Sequence, residues 1–274
     1  MSKLSQAKLA KLKKENANIS HNEINTRPEH ILNEKSTFAV SEAYKTARTN
    51  LQFVSNEDGC NIIAVTSSVP AEGKTLTCVN MAICLAQNGK KVLLIDSDMR
   101  KPQIATTLGL NKTPGLSDLL AGFVKISDET ANCCRQKSNV PNLDVICAGK
   151  TPPNPAELLA GKRLKKLLDK MSAEYDFIMI DTPPTLVVTD SMVLKPNVNG
   201  YIIVVRSGVS HVEIVKETVA RFSQIEAKIC GFILNGQKSK TGSRYGKYGK
   251  YGKYGKYGKY GSYGGYGGYG ETGN

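Results

Sequence analysis

Nine tyrosines near the C-terminus fall every third position: Tyr245, Tyr248, Tyr251, Tyr254, Tyr257, Tyr260, Tyr263, Tyr266 and Tyr269. Gly-Lys pairs, then Ser/Gly spacers, separate them. The chain has twelve tyrosines, so three quarters lie in this run. Phenols without apolar neighbours build no core, but each hydroxyl is a nucleophile that can accept a phosphoryl group. A phosphate-binding sequence lies upstream at Ser67-Ser68-Val69-Pro70-Ala71-Glu72-Gly73-Lys74-Thr75. The apolar run Ile62–Thr66 precedes it and a helical pattern through Val79, Ala82, Ile83 and Leu85 follows. Strand, G-K-T loop and helix are the setting in which backbone amides and a helix N-terminus cradle phosphate oxygens. Ser68, Val69, Pro70, Ala71, Glu72, Gly73, Lys74, Thr75 and Leu76 are therefore the candidate nucleotide cradle. Lys74 suits the β- and γ-phosphates, and the Thr75 hydroxyl suits Mg²⁺. Ser68 stands where the usual pattern has its first glycine.

Two acidic elements complete this chemistry. Val92–Ile95 runs into Asp96-Ser97-Asp98-Met99-Arg100, and Phe177–Ile180 runs into Asp181-Thr182-Pro183-Pro184. Each is an apolar strand with carboxylates at its C-terminal end, the edge at which open α/β sheets bind ligands. One such aspartate is ordinarily a cap or turn residue. Three on two strands beside a G-K-T loop point to a metal–nucleotide site.

The elements that must position these groups are legible as alternation. Apolar runs occur at Ile62–Thr66, Val92–Ile95, Leu143–Cys147, Phe177–Ile180, Tyr201–Val205 and Ile229–Leu234, separated by amphipathic stretches. One stretch, Pro155–Met171, begins with Asn154 as cap and Pro155 in the first turn. Another, His211–Ile225, is opened by Ser210-x-x-Glu213, the spacing of a capping box. A helical pattern also begins at Thr37, through Ala43, Tyr44, Ala47 and Leu51. Near-continuous apolar strands alternating with helices predict an α/β fold: a mostly parallel central sheet with helices on both faces. Residues 1–36 read as a flexible basic arm and 37–236 as the folded domain. Residues 237–274 read as a disordered tail, because Gly-rich repeats bury nothing.

Net charge is +13. Residues beyond 236 carry eight bases and one acid, so +7 of the excess belongs to the tail and not to a nucleic-acid face on the domain. The seven cysteines are odd in number, lack a C-x-x-C, and mostly sit in apolar runs. They read as reduced, buried thiols of a cytosolic protein. No apolar run reaches the roughly eighteen residues a membrane span needs. Membrane association would require another polypeptide.

Together the loop at 67–75, Asp96-x-Asp98-x-Arg100, the Asp181 strand and the tyrosine cluster resemble the bacterial tyrosine kinases. These phosphate-loop enzymes control capsule and exopolysaccharide export. The Pro152-Pro153-Asn154-Pro155-x-Glu157-Leu158-Leu159 stretch and Leu234-Asn235-Gly236 also look like this family. The resemblance spans residues 37–274. It implies an ATP-dependent tyrosine kinase with Mg²⁺ held by Thr75, Asp98 and Asp181, and with Lys74, Asp96 and Asp98 as catalytic groups. Asp96 would be the base that takes the acceptor phenol's proton. It also implies a separate membrane-spanning adaptor that recruits the cytoplasmic chain to the inner face of the plasma membrane. A cognate tyrosine phosphatase and a ring-like homo-oligomer follow as well. The family's E-x-x-R-x-x-R helix maps to Glu42, Lys45 and Arg48, with lysine replacing the first arginine and its bidentate fork. No specific nucleic-acid partner is expected.

The tail then reads as a switch. Each phosphotyrosine adds about −1.5 to −2 charges, so nine would invert a +7 tail. Two rivals remain. A partitioning-type ATPase would share the fold, but its signature lysine at the loop's second position is Val69 here. A non-enzymatic tail-mediated binder would leave the phosphate loop without purpose.

Overall fold

The computed structural model describes residues 30–56, 58–123 and 134–237. The tyrosine run, the expected tail disorder, Cys133 and residues 1–29 of the N-terminal arm lie outside them. In chain order the elements are α1 (Phe38–Val54), β1 (Asn61–Ser67), α2 (Lys74–Gln87), β2 (Val92–Asp96), α3 (Ile104–Leu108), α4 (Leu116–Ala121) and β3 (Arg135–Lys137). There follow β4 (Leu143–Ile146), α5 (Pro155–Ala160), α6 (Lys162–Met171), β5 (Phe177–Asp181), a 3₁₀ turn (Lys195–Asn197), β6 (Gly200–Arg206), α7 (Val212–Gln224) and β7 (Ile229–Asn235).

The seven strands form one sheet in the order β3-β4-β2-β5-β1-β6-β7. All neighbours pair in parallel except β3 with β4. Alternate residues of β1, β2, β4, β5 and β6 feed two separate cores. Ile63, Val65, Val92, Leu94 and Met179 pack with α1 and α2 on one face. Ala64, Leu93, Ile95, Ile178 and Ile180 pack with α4, α6 and α7 on the other. Burial on both faces is why these strands read as continuous apolar runs.

Some local expectations need correcting. The Pro155–Met171 stretch is two helices, because Gly161 between them is extended (φ −72°, ψ 153°). The break lets Leu159 of α5 and Leu164, Leu167, Leu168 and Met171 of α6 reach the same core. The Asn154 side chain makes no capping bond; its backbone carbonyl accepts from Leu158 N instead, at 3.3 Å. β3 carries the polar sequence Arg-Gln-Lys and has no apolar signal to announce it. Residues 30–36, read with the arm, touch the domain: Leu32 is buried, and its backbone N–H donates to Asn80 Oδ1 at 2.8 Å.

Candidate active site

The site is built where β2, β5 and β1, adjacent in the sheet, end together. Register places Asp96 opposite Asp181, and Val65 of β1 opposite Asp181 on its other side. The loop leaving β1 thus rises beside Asp181. It turns through two left-handed residues, Ala71 (φ 67°) and Gly73 (φ 86°), into the N-terminus of α2. A Cβ on Gly73 would lie 2.1 Å from Asn235 Nδ2, so close approach and backbone conformation both demand glycine there.

Lys74 opens α2 and lies among the carboxylates. Its Nζ is 2.8 Å from Asp98 Oδ2 and 3.8 Å from Asp181 Oδ1. The Thr75 hydroxyl donates to Asp181 Oδ2 at 2.7 Å. Burial pulls the Lys74 pKa down, but the charges of Asp181 and Asp98 outweigh it and hold the ammonium above the usual lysine range. Asp98 is fixed in turn by Lys101 N, which donates to Oδ1 at 3.0 Å. Ser97 ties this segment to β5 through two bonds to the Asp181 carbonyl, from N at 2.9 Å and from Oγ at 2.7 Å.

Asp96 is fully buried. Its Oδ1 accepts from Asp98 N at 3.2 Å, and its Oδ2 from Gln103 N at 3.2 Å and Ile104 N at 3.1 Å. It therefore anchors the turn that carries Asp98. Burial first, then the charge of Asp181, pushes its carboxyl up to about 8. Burial likewise lifts Asp181 to about 6 against the pull of Lys74.

The residues fit a hard cation. Asp181 Oδ1 is buried and has no hydrogen-bond partner, with the Thr75 hydroxyl on the same carboxylate's other oxygen and Asp98 across Lys74. An orphan carboxylate oxygen beside a hydroxyl and a second carboxylate is an oxygen donor set of the kind Mg²⁺ takes. Thr75, Asp98 and Asp181 are the residues that would hold it.

The cradle residues divide into two groups. Pro70, Ala71, Gly73, Lys74 and Leu76 are partly exposed, whereas the Ser68, Val69, Glu72 and Thr75 residues are buried. The Ser68 hydroxyl accepts from Thr218 Oγ1 at 2.8 Å. The Ser210 capping box does not form. His211 is the N-cap of α7, and Ser210 Oγ instead accepts from Arg206 N at 2.7 Å and donates to Glu72 Oε1. Arg206, Thr218 and Asp190 were not picked out by sequence. The last takes a bidentate pair from Arg100, at 2.8 and 3.0 Å, which braces the Asp98 segment against the chain beyond β5. None of the three stands in a local pattern that would have flagged it.

Glu42 and Lys45 pair with each other on the exposed face of α1 at 2.8 Å. Arg48 turns inward, with NH1 3.5 Å from the Cys84 carbonyl on α2. The phosphoacceptor tyrosines lie outside the described residues. Among those residues, no helix is long and apolar enough to cross a membrane.

An AAA-domain family model matches residues 60–230. Tyrosine-protein kinase YwqD of Bacillus subtilis (strain 168) is 42% identical over 206 residues, which is 75% of this chain and 85% of that protein. Putative tyrosine-protein kinase EpsB of Ralstonia nicotianae and tyrosine-protein kinase wzc of Salmonella typhimurium are 36% and 38% identical, matched over 27% and 26% of their own length. The crystal structure of the chimerical protein CapA2B2 superposes with a TM-score of 0.70 at 30% identity, over 75% of this chain and 88% of that one. The kinase domain of Escherichia coli tyrosine kinase ETK gives 0.69 at 34% identity, over 75% and 78%. Septum-site and plasmid-partition proteins share the fold more distantly, at 23–24% identity with a TM-score of 0.54. With a G-K-T loop, two aspartate-tipped strands and this likeness over three quarters of its length, the chain belongs to the bacterial tyrosine-kinase family.

Proposed function

We propose that the chain is an ATP- and Mg²⁺-dependent protein tyrosine kinase that phosphorylates the tail tyrosines of neighbouring copies. The observation that carries this reading is the hydrogen-bonded group of Lys74, Thr75, Asp98 and Asp181 at one sheet edge, with Asp96 beneath it. The names of its relatives support the same reading, and the septum-site protein of like fold was solved with Mg-ADP.

In the reaction, the bond from the γ-phosphorus to the β–γ bridging oxygen breaks and one to a tyrosine oxygen forms. Lys74 neutralises charge on the phosphates; Thr75, Asp98 and Asp181 would hold the Mg²⁺, which would add further charge neutralisation. A phenol of pKa about 10 needs a proton acceptor near neutral pH. Asp96 is the candidate acceptor: in the ligand-free protein burial and the charge of Asp181 raise its affinity for a proton. Its engaged oxygens keep it oriented, and Oδ1 accepts only one amide and retains a free lone pair.

For a Gly-rich sequence of 38 residues, flexible-chain scaling gives a reach of roughly 35 Å, and transfer between copies relies on that reach. Phosphorylation inverts the tail's charge and loosens the assembly. The assembly, built through Glu42 and Lys45 on the exposed side of α1 and Arg48 beside them, regulates capsular or exopolysaccharide synthesis and export. A membrane-spanning adaptor recruits and activates the kinase at the plasma membrane, and a tyrosine phosphatase resets it. Transfer between copies is tested by mixing full-length Lys74→Met, as acceptor only, with a chain truncated after Gly236, as donor only. The adaptor's cytosolic segment is included. Label on the Lys74→Met tail supports transfer between molecules. Its absence, when wild type labels itself, refutes it.

A further inference from the structure

We infer that the stretch from β6 to β7 is a positioning clamp for the phosphate loop, and that the Ser210–Glu72 hydrogen bond is the contact that sets the loop's shape. The inference rests on the nucleotide reading of the loop. It assigns a role to side chains outside the loop, those of Arg206, Ser210, Thr218 and Asn235.

The loop has little intrinsic reason to hold its form. Its first glycine is replaced by Ser68, and Ala71 is left-handed (φ 67°) without being glycine, a conformation L-residues avoid. Side chains from one contiguous stretch supply what the loop lacks. The Arg206 guanidinium, at the end of β6, donates to the Ala71 carbonyl at 2.8 Å. Thr218 on α7 donates to Ser68 Oγ at 2.8 Å. Asn235, the last residue of β7, donates from Nδ2 to the Glu72 carbonyl at 3.2 Å. Ser210 donates to Glu72 Oε1, while Glu72 Oε2 accepts from Val69 N at 2.9 Å. The carboxylate thus closes the loop on itself and ties it to the start of α7.

Glu72 is otherwise out of place. A carboxylate in an anion-binding loop repels its ligand unless donors satisfy it and it is turned away. Glu72 is both: fully buried, with both oxygens bonded. Ser210 gives up helix capping to make this contact, since His211 takes the N-cap position and provides no side-chain cap.

The test is equilibrium binding of a fluorescent ATP analogue with Mg²⁺ to the full chain. Wild type, Glu72→Gln, Glu72→Ala, Ser210→Ala and the Glu72→Ala/Ser210→Ala double variant are compared. Melting of each without nucleotide reports folding. Loss of a hydrogen bond to a charged group should weaken binding by about tenfold in Glu72→Ala and Ser210→Ala. Glu72→Gln should stay within about twofold, because its amide can accept from Val69 N and donate to Ser210 Oγ. The double variant should lose clearly less than the sum of the two single losses, since both changes break the same Ser210–Glu72 contact, while only Glu72→Ala frees Val69 N and only Ser210→Ala frees Arg206 N. Wild-type-like binding by Glu72→Ala, or additive losses in the double variant, would overturn the clamp. If Glu72→Ala fails to melt cooperatively, Ser210→Ala against Glu72→Gln decides on the same criteria. A wild-type chain that binds no analogue would overturn the nucleotide reading, and the clamp with it.

Discussion

Lys74→Met is the natural inactive variant, and the geometry says it will also unfold more easily, in a pH-dependent way. Lys74 Nζ lies 2.8 Å from Asp98 and 3.8 Å from Asp181, with side chains 13%, 5% and 0% exposed. At an effective dielectric near 20, these distances correspond to gross attractions of about 6 and about 4 kcal/mol. Most of that offsets the cost of burying the charges. Removing one partner of such a group typically costs about 3–5 kcal/mol, because the remaining charges stay buried. The methionine removes the ammonium that holds the Asp96 and Asp181 carboxyls down. Those two carboxyls, already raised by burial, then take up protons more readily. The variant's folded state therefore binds more protons than wild type, and its deficit grows as pH rises. Urea unfolding of the ligand-free proteins should show a loss of about 3 kcal/mol at pH 8 and clearly less at pH 5. For a domain of this size, about 3 kcal/mol is a melting shift of roughly 6–12 °C. A variant as stable as wild type at pH 8, or one more destabilised at pH 5 than at pH 8, would refute the reasoning. Loss of activity in Lys74→Met is then to be read only at a temperature where it is folded.

Raised carboxyls make ligand-free stability itself pH-dependent. Asp96 near 8 and Asp181 near 6 stand above their unfolded values near 4, so the stability they contribute is full below about pH 4 and lost as pH rises toward 8. Asp96→Asn should flatten that decline in urea unfolding between pH 5 and 8.5; an unchanged slope contradicts the assignment. Gly73→Ala should cost about 1–2 kcal/mol from its left-handed backbone alone, and more from collision with Asn235 Nδ2. Adding Asn235→Ala should recover only the second part in melting experiments. Replacing all nine tail tyrosines by glutamate turns a +7 tail negative and should lower assembly mass in light scattering. Assembly as tight as wild type would count against the charge switch.

The inner strands of the sheet were legible because they are buried on both faces, and the edge strand β7 because it is apolar even though Phe232 and Leu234 are half exposed. The six apolar runs match β1, β2, β4, β5, β6 and β7 to within a residue or two. β3 was not, because a three-residue polar edge strand is recruited by β4 and not by its own composition. The Pro155–Met171 pattern runs through Gly161 without a visible break. Only the shared core beneath α5 and α6 explains why the chain breaks there. Lys74, Thr75, Asp98 and Asp181 were readable from strand ends and loop spacing, and the fold brings all four together. The supporting contacts were hidden by distance along the chain. Ser210 and Glu72 are 138 residues apart, and Arg100 and Asp190 are 90 apart. Ser210-x-x-Glu213 misled because a hydroxyl goes to its best buried acceptor, and here that acceptor comes from the phosphate loop.

The most direct test of the account is autophosphorylation with labelled ATP and Mg²⁺, with the adaptor's cytosolic segment present. Wild type, Lys74→Met and a chain truncated after Gly236 are compared at a temperature where all are folded. Label is expected on wild type alone, mapped to tyrosines between Tyr245 and Tyr269. ATP hydrolysis by wild type with no label on tyrosine would contradict this, and would favour an ATPase of the partitioning type.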